Sequence, residues 1–244
     1  RSSCSEMDIA KFLIAMMSLT MSRISSRALS ASSLASCERW YHLRRVDPDL
    51  QLLQQWRDGD VESGNSLFNR HFGSIRRFFR NKVSAAEVED LIQRTFLACV
   101  ESRDRFRGDA SFRTYLFVVA RNELYRHLRR RARDDEREAV DFGVSSIHAM
   151  GISPTGLVAK KEEHQLVLEA LRRIPVEYQL VIELYYWEQI PGPELAEILG
   201  VAPTTVRTRL FRAREALREQ MEKLGAAGEA LDVEQSVRAL HNQV

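Results

Sequence analysis

The chain has 244 residues, 44% of them apolar, enough for one large domain or two small ones with real cores, which excludes a wholly disordered protein. Its 36 basic and 34 acidic residues leave a formal net charge of only +2, so any affinity for a polyanion has to come from how the charge is distributed. Cys4, Cys37 and Cys99 lie far apart with no C-x-x-C and no nearby His pair, which argues against a disulfide framework and a zinc site and fits a reducing cytoplasm. No apolar run reaches the ~18 residues a membrane helix needs, so no membrane insertion is expected.

Residues 1–46 read as an unstructured leader. The short apolar stretch from Ile9 to Met21 is followed by a Ser/Arg-rich piece ending in Leu34-Ala35-Ser36-Cys37, but polar residues separate the apolar core from that cysteine, unlike a cleaved export signal. The first residue is Arg1, and Met7 or Met21 are alternative starts. From Asp47 to Arg133 Gly and Pro are sparse and apolar residues recur at helical spacing, which predicts a helical domain over 47–133. Leu50 to Arg57 is a short segment closed by Asp58-Gly59-Asp60. Val61 to Lys82 carries Leu67, Phe68, Phe72, Ile75, Phe78 and Phe79 on one stripe, and Val88, Ile92, Phe96 and Cys99 form another.

The stretch Arg105–Arg133 holds nine Arg against Asp109 and Glu123, a local charge of +7 interleaved with Phe106, Phe112, Tyr115, Phe117 and Tyr125. Such a field calls for a polyanion or an acidic partner, and aromatic faces beside cations suit stacking on unpaired bases. Arg126, Arg129, Arg130 and Arg133 share one helical face by their spacing. Leu116 to Ala120 is apolar all round, and core packing is the preferred reading for Phe117 and its neighbours.

Residues 134–160 read as a flexible linker, acidic from Asp134 to Glu138 and Gly/Ser/Pro-containing from Gly143 to Gly156. A second helical domain is predicted over 161–224, punctuated by Pro175 and Pro191-Gly192-Pro193, followed by a tail over 225–244 with weak helical periodicity and no assignable role. Within the second domain, Glu194 to Arg214 has the pattern of a helix-turn-helix: a short helix with small Ala196, Gly200 at its end, and a second helix. Leu199, Val206 and Leu210 are expected to lock the two helices together. Thr204, Thr205, Arg207, Thr208, Phe211 and Arg212 remain for outside contacts, with Arg209, Arg214 and Arg218 suited to phosphates. Taken alone, this segment also fits an Arg-rich solvated amphipathic helix. Ala202 precedes the second helix without a capping oxygen, so its start is expected to fray although Pro203 suits the first turn.

Three pieces, Asp90-Leu91-Ile92-Gln93-Arg94-Thr95-Phe96-Leu97, Phe106-Arg107-Gly108-Asp109-Ala110-Ser111-Phe112-Arg113-Thr114-Tyr115-Leu116 and Ala120-Arg121-Asn122, resemble region 2 of the extracytoplasmic-function sigma factors. Thr205-Val206-Arg207-Thr208-Arg209-Leu210-Phe211-Arg212-Ala213-Arg214-Glu215-Ala216-Leu217 similarly resembles region 4. The resemblance covers roughly Asp47 to Leu224 and depends on order and spacing together. It implies an all-α fold of two small helical domains joined by a flexible linker, in a cytoplasmic, non-enzymatic protein that directs core RNA polymerase to promoters and needs no cofactor. It implies further that Asp90, Gln93 and Arg94 dock on the clamp coiled coil of the polymerase's largest subunit and that the second domain meets the flap of the second largest. The linker would thread the RNA exit path. On the same grounds Phe106, Arg107, Asp109, Ser111, Phe112, Arg113, Asn122, Arg126, Arg129 and Arg130 would open the minus-10 element and hold its single strand. Thr204, Thr205, Arg207, Thr208, Arg209, Phe211, Arg212 and Arg214 would read the duplex minus-35 element, and an anti-sigma factor would be a partner. Two positions depart from the family pattern: Tyr115 stands where Trp is usual, and Arg126 where an acidic or amide residue is common. The competing class is a dimeric helix-turn-helix regulator that binds an operator unaided; an enzyme is disfavoured by the lack of G-x-x-x-x-G-K-[ST], G-x-S-x-G and H-E-x-x-H motifs.

Overall fold

In the computed structural model the described residues are 48–106, 108, 110–134, 140–152, 162–226 and 232–240. The expected leader over 1–46 lies outside them. Helix α1 (Pro48–Arg57) and the first half of α2 (Val61–Arg80) form a small N-terminal unit through Arg70. The turn between them uses Gly59 at φ +107°, and Asp60 caps α2 by accepting from the Glu62 amide at 3.0 Å and the Ser63 hydroxyl at 2.6 Å. Gly64 lets Trp56 come close, since a Cβ there would lie 2.7 Å from the indole, and Trp56 meets Phe68 edge-on at 5.1 Å. Arg70 pairs with Asp49 across the two helices.

From His71 onward the remaining helices pack as one unit. The end of α2 packs with α3 (Ala85–Ser102) and α4 (Phe112–Asp134) around Ile75, Phe79, Leu91, Phe96, Leu116, Phe117 and Leu124, each at 0% exposure. This is the core that the apolar stripes foretold. Ser84 starts α3, with the Glu87 carboxylate reaching back to the Ser84 amide at 2.9 Å. Cys99 is buried in the same core, which pushes its thiol well above the usual range.

The second helical group contains α5 (Glu162–Arg173), α6 (Val176–Tyr186), α7 (Gly192–Leu199) and α8 (Pro203–Lys223). Helix α6 buries residues on every side, from Val176 to Tyr186, and is the centre of this group. The described part of the linker, 140–152, is held rather than loose. Phe142, Ile147, Met150 and Ile152 are buried, Ser146 forms an isolated antiparallel bridge with Pro175, and the His148 amide donates to the Arg172 carbonyl at 2.9 Å. The tail also has a role in packing. Helix α9 (Val233–Leu240) buries Val233, Val237 and Leu240, and the Trp187 indole donates to the Val237 carbonyl at 2.8 Å. Its apolar residues sit at i, i+4 and i+7, a signal present in the sequence but spread over only two turns.

Candidate nucleic-acid interface

Helix α7 ends at Gly200, which takes φ +67° and returns the chain into α8 through Val201 and Ala202. The two helices are locked as expected: Leu199, Val206 and Leu210 are all buried, and Ala196 gives α8 close approach. Ala202 supplies no side-chain cap, yet α8 is helical from Pro203 onward, because Pro203 fixes the first turn and the Thr205 amide donates to the Ala202 carbonyl at 2.9 Å.

Six of the eight residues singled out on α8 face outward. Thr204, Thr205, Arg207, Thr208, Phe211 and Arg212 are exposed, and Phe211 shows 62% of its surface to solvent. A large aromatic at that exposure between two arginines is unusual for a merely solvated face. Arg209 and Arg214 are occupied within the protein. Arg209 pairs with Glu177 at 2.9 Å, and Arg214 donates to the Tyr186 hydroxyl at 2.7 Å while lying 5.5 Å from that ring. Arg218 pairs with Glu215 at 2.7 Å. Burial pushes the Tyr186 phenol up, which keeps it a neutral partner for Arg214.

Helix α4 presents a second candidate surface. Asn122, Arg126, Arg129 and Arg130 are exposed on its C-terminal half, as the i, i+3, i+4 spacing requires. Arg126 pairs with Glu123, and Arg129 lies over the Phe142 ring at 5.1 Å and the Tyr125 ring at 5.8 Å. Tyr125 and Phe142 stack at 4.1 Å, so an aromatic from the linker extends this face. A groove of about 810 Å³ runs along it, lined by Arg121, Asn122, Tyr125, Arg126, Arg129 and the Leu199–Gly200 end of α7.

At the start of α4, Phe106 packs 4.8 Å from Tyr115 and 6.3 Å from Phe112. Phe106 is half-buried, whereas Phe112 is 1% exposed and belongs to the core, so its ring is not presented to a ligand. Arg107 and Asp109 lie outside the described residues. The polar groups here have protein partners. Thr114 and Ser111 donate to the Glu194 carboxylate, the latter at 3.2 Å, and Arg113 donates at 2.7 Å to both the Glu188 carbonyl and its carboxylate. Arg121 donates to the Ile198 carbonyl at 2.6 Å, satisfying the last turn of α7. Glu188 and Glu194 drew no notice in the sequence, because nothing local distinguishes them from any solvated acid.

On α3, Asp90 and Arg94 form an i, i+4 ion pair at 2.8 Å and share a polar side with Gln93, opposite buried Leu91, Ile92, Thr95 and Phe96. Among the described residues there is no group of His, Cys, Asp and Glu able to hold a metal, and no helix long and apolar enough to cross a membrane.

The fold and site together define the helix-turn-helix class, with a separate cationic and aromatic helix beside it. Comparison with known proteins narrows this. Residues 67–134 match the model of Sigma-70 region 2 and residues 164–217 that of Sigma-70, region 4, together half of the chain. The ECF RNA polymerase sigma-E factor of Escherichia coli (strain K12) is 28% identical over 182 residues, covering 72% of this chain and 95% of that protein. The sigma-E factor of Haemophilus influenzae is 26% identical over 183 residues, covering 72% and 96%. Among solved structures, CnrH in complex with the cytosolic domain of CnrY superposes with a TM-score of 0.54 at 23% identity, over 72% of this chain and 99% of that one. The sigma factor RpoE of Bartonella quintana, solved with the anti-sigma factor NepR, gives 0.50 at 22% identity, over 65% and 96%. The chain belongs to the extracytoplasmic-function family of RNA polymerase sigma factors.

Proposed function

We propose that this sigma factor binds core RNA polymerase in the cytoplasm and brings it to promoters whose minus-35 element is read by α8 and whose minus-10 strand is held along α4. The two DNA-facing bodies are residues 47–133 and 161–224. The observation that carries the reading is the outward row on α8, where Thr204, Arg207, Thr208, Phe211 and Arg212 stand exposed on a helix locked by its opposite side. Arg207 and Arg212 are the candidates for guanine edges, and Thr204, Thr205 and Thr208 for base edges or thymine methyls. Arg209 and Arg214 serve first to fix α8 in place. On α4, exposed Asn122, Arg126, Arg129 and Arg130 follow the displaced strand, with the Tyr125–Phe142 stack beside Arg129 and half-buried Phe106 and Tyr115 at the start of the helix as the aromatic surfaces. Asp90, Gln93 and Arg94 form the polar patch for the polymerase clamp. An anti-sigma partner is supported by the Bartonella quintana neighbour, which was solved with the anti-sigma factor NepR.

Reconstitution with core polymerase and a randomised promoter library, followed by transcript sequencing, tests this. Enrichment of paired minus-35 and minus-10 motifs that depends on both core and this chain is expected. A sharp operator footprint by the chain without polymerase overturns it in favour of a self-sufficient duplex-binding regulator.

A further inference from the structure

Helix α9 lies beyond the residues 164–217 that match region 4, yet it packs against α5, α6 and α8, the body that carries the minus-35 candidates. Its 8 residues are too few to hold a helix in water, so α9 forms because Val233, Val237 and Leu240 are buried against those neighbours. Two contacts tie it to the end of α6. The Trp187 indole donates to the Val237 carbonyl at 2.8 Å, and the Arg238 guanidinium lies 5.5 Å from the Tyr186 ring. The same ring also holds α8: Arg214 lies 5.5 Å from it and its Nε donates to the Tyr186 hydroxyl at 2.7 Å. Tyr185 meets Tyr186 edge-on at 4.9 Å and lies 5.9 Å from Arg214. A single buried ring thus joins a guanidinium of the tail to a guanidinium of α8. Arg214 is within one turn of Phe211 and Arg212, so whatever fixes Arg214 also fixes the outward row.

We infer that α9 and Tyr186 form a positioning element for α8, and that Arg238 sharpens minus-35 selectivity through Tyr186 and Arg214 without touching DNA. The inference rests on the proposed reading of minus-35 by α8. Leu199, Val206 and Leu210 lock the N-terminal half of α8 to α7, and a helix fixed along one half only can rock about that lock. Discrimination between base pairs needs side chains held to within about 0.5 Å, and a second fixing point on the C-terminal half supplies that constraint. The Arg238 guanidinium is itself oriented by an i, i+4 pair with Glu234 at 2.8 Å. Its side chain is 61% exposed, so removing it leaves the apolar contacts of α9 whole.

The test uses holoenzymes reconstituted from core polymerase and full-length chains on the randomised promoter library, with minus-10 enrichment as the internal reference. Circular dichroism verifies that each variant is folded. Arg238→Ala is expected to lower minus-35 discrimination about threefold, the size of an exposed cation–ring contact. Arg238→Lys should recover part of the loss, because an ammonium keeps the charge over the ring but not the flat stacking surface. Tyr186→Phe keeps the ring and deletes only the hydroxyl that Arg214 uses, and is expected to cost up to about tenfold. Minus-10 enrichment stays at the parent level throughout. The Arg214→Ala/Arg238→Ala double variant should lose no more than Arg214→Ala alone, since Arg238 acts through Arg214, whereas a merely structural tail would add its own loss. Unchanged minus-35 discrimination in Arg238→Ala and Tyr186→Phe, a loss shared equally with minus-10, or additive losses in the double variant overturns the inference. The proposed function then still stands if Arg207→Ala relaxes a minus-35 position. Identical minus-35 profiles for the parent and Arg207→Ala overturn the role of α8 and the inference with it.

Discussion

Arg207 and Arg209 are two residues apart and have opposite employment, and helix geometry accounts for it. At about 100° per residue, Thr204, Arg207, Thr208, Phe211 and Arg212 fall on the side of α8 opposite Val206, Leu210, Ala213 and Leu217, while Arg209 and Arg214 flank the buried strip on either edge. An edge position reaches both solvent and neighbour, and here the neighbours are Glu177 and Tyr186. Arg207→Ala is therefore expected to relax preference at one minus-35 base pair by about 1–3 kcal/mol without weakening polymerase binding. Transcript sequencing across a promoter library checks it, and unchanged selectivity at every position removes Arg207 from the reading set. The locking residues Leu199, Val206 and Leu210 were legible from spacing alone. The partners of Arg209 and Arg214 were not, because they lie some 30 residues away on α6, and periodicity says which side a residue faces but not what it meets there.

Helix α4 carries two different surfaces along one length. Its N-terminal half is pinned by Arg113, Thr114 and Arg121 to the second helical group, and its C-terminal half leaves Arg129 and Arg130 exposed beside the Tyr125–Phe142 stack. Reversing charge at Arg129 and Arg130 should then injure strand holding rather than duplex reading. Arg129→Glu/Arg130→Glu is expected to abolish permanganate reactivity of promoter thymines around minus-10, with duplex binding by the holoenzyme reduced far less. Normal reactivity in the double variant would show that this face is not used. The arginine stripe could be read from its i, i+3, i+4, i+7 spacing, whereas the pinned half could not, since Glu188 and Glu194 are distant in sequence and ordinary in context. Helix α9 went unassigned for another reason: three apolar residues over two turns carry too little periodic signal until Trp187 and α6 supply the surface they cover.

Across the whole chain, composition and motif order foretold two helical groups and a connector, and the structure holds both groups and half of that connector together. Sequence offers little warning of such docking, because Lys82, Glu183, Glu188 and Glu194 look like solvated charges until the fold removes water from them. The docking should carry a pH signature. Burial alone would raise the Glu188 carboxyl, but Arg77, Ser74 and Arg113 more than offset it and hold it below its ordinary value. Once the groups separate, Glu188 returns toward the usual glutamate pKa of ~4.3. A carboxyl depressed in the closed form favours closure fully above that ordinary value, and its contribution is lost as pH falls through the depressed one. Parent and Glu188→Gln chains, each labelled with a fluorescent pair across the joint, should thus differ by a constant closed fraction near neutral pH, the parent being the more closed. That gap should shrink only below the ordinary glutamate range. A gap already vanishing as pH falls from 7 to about 5 would point to a histidine instead and would remove Glu188 from the joint's energetics.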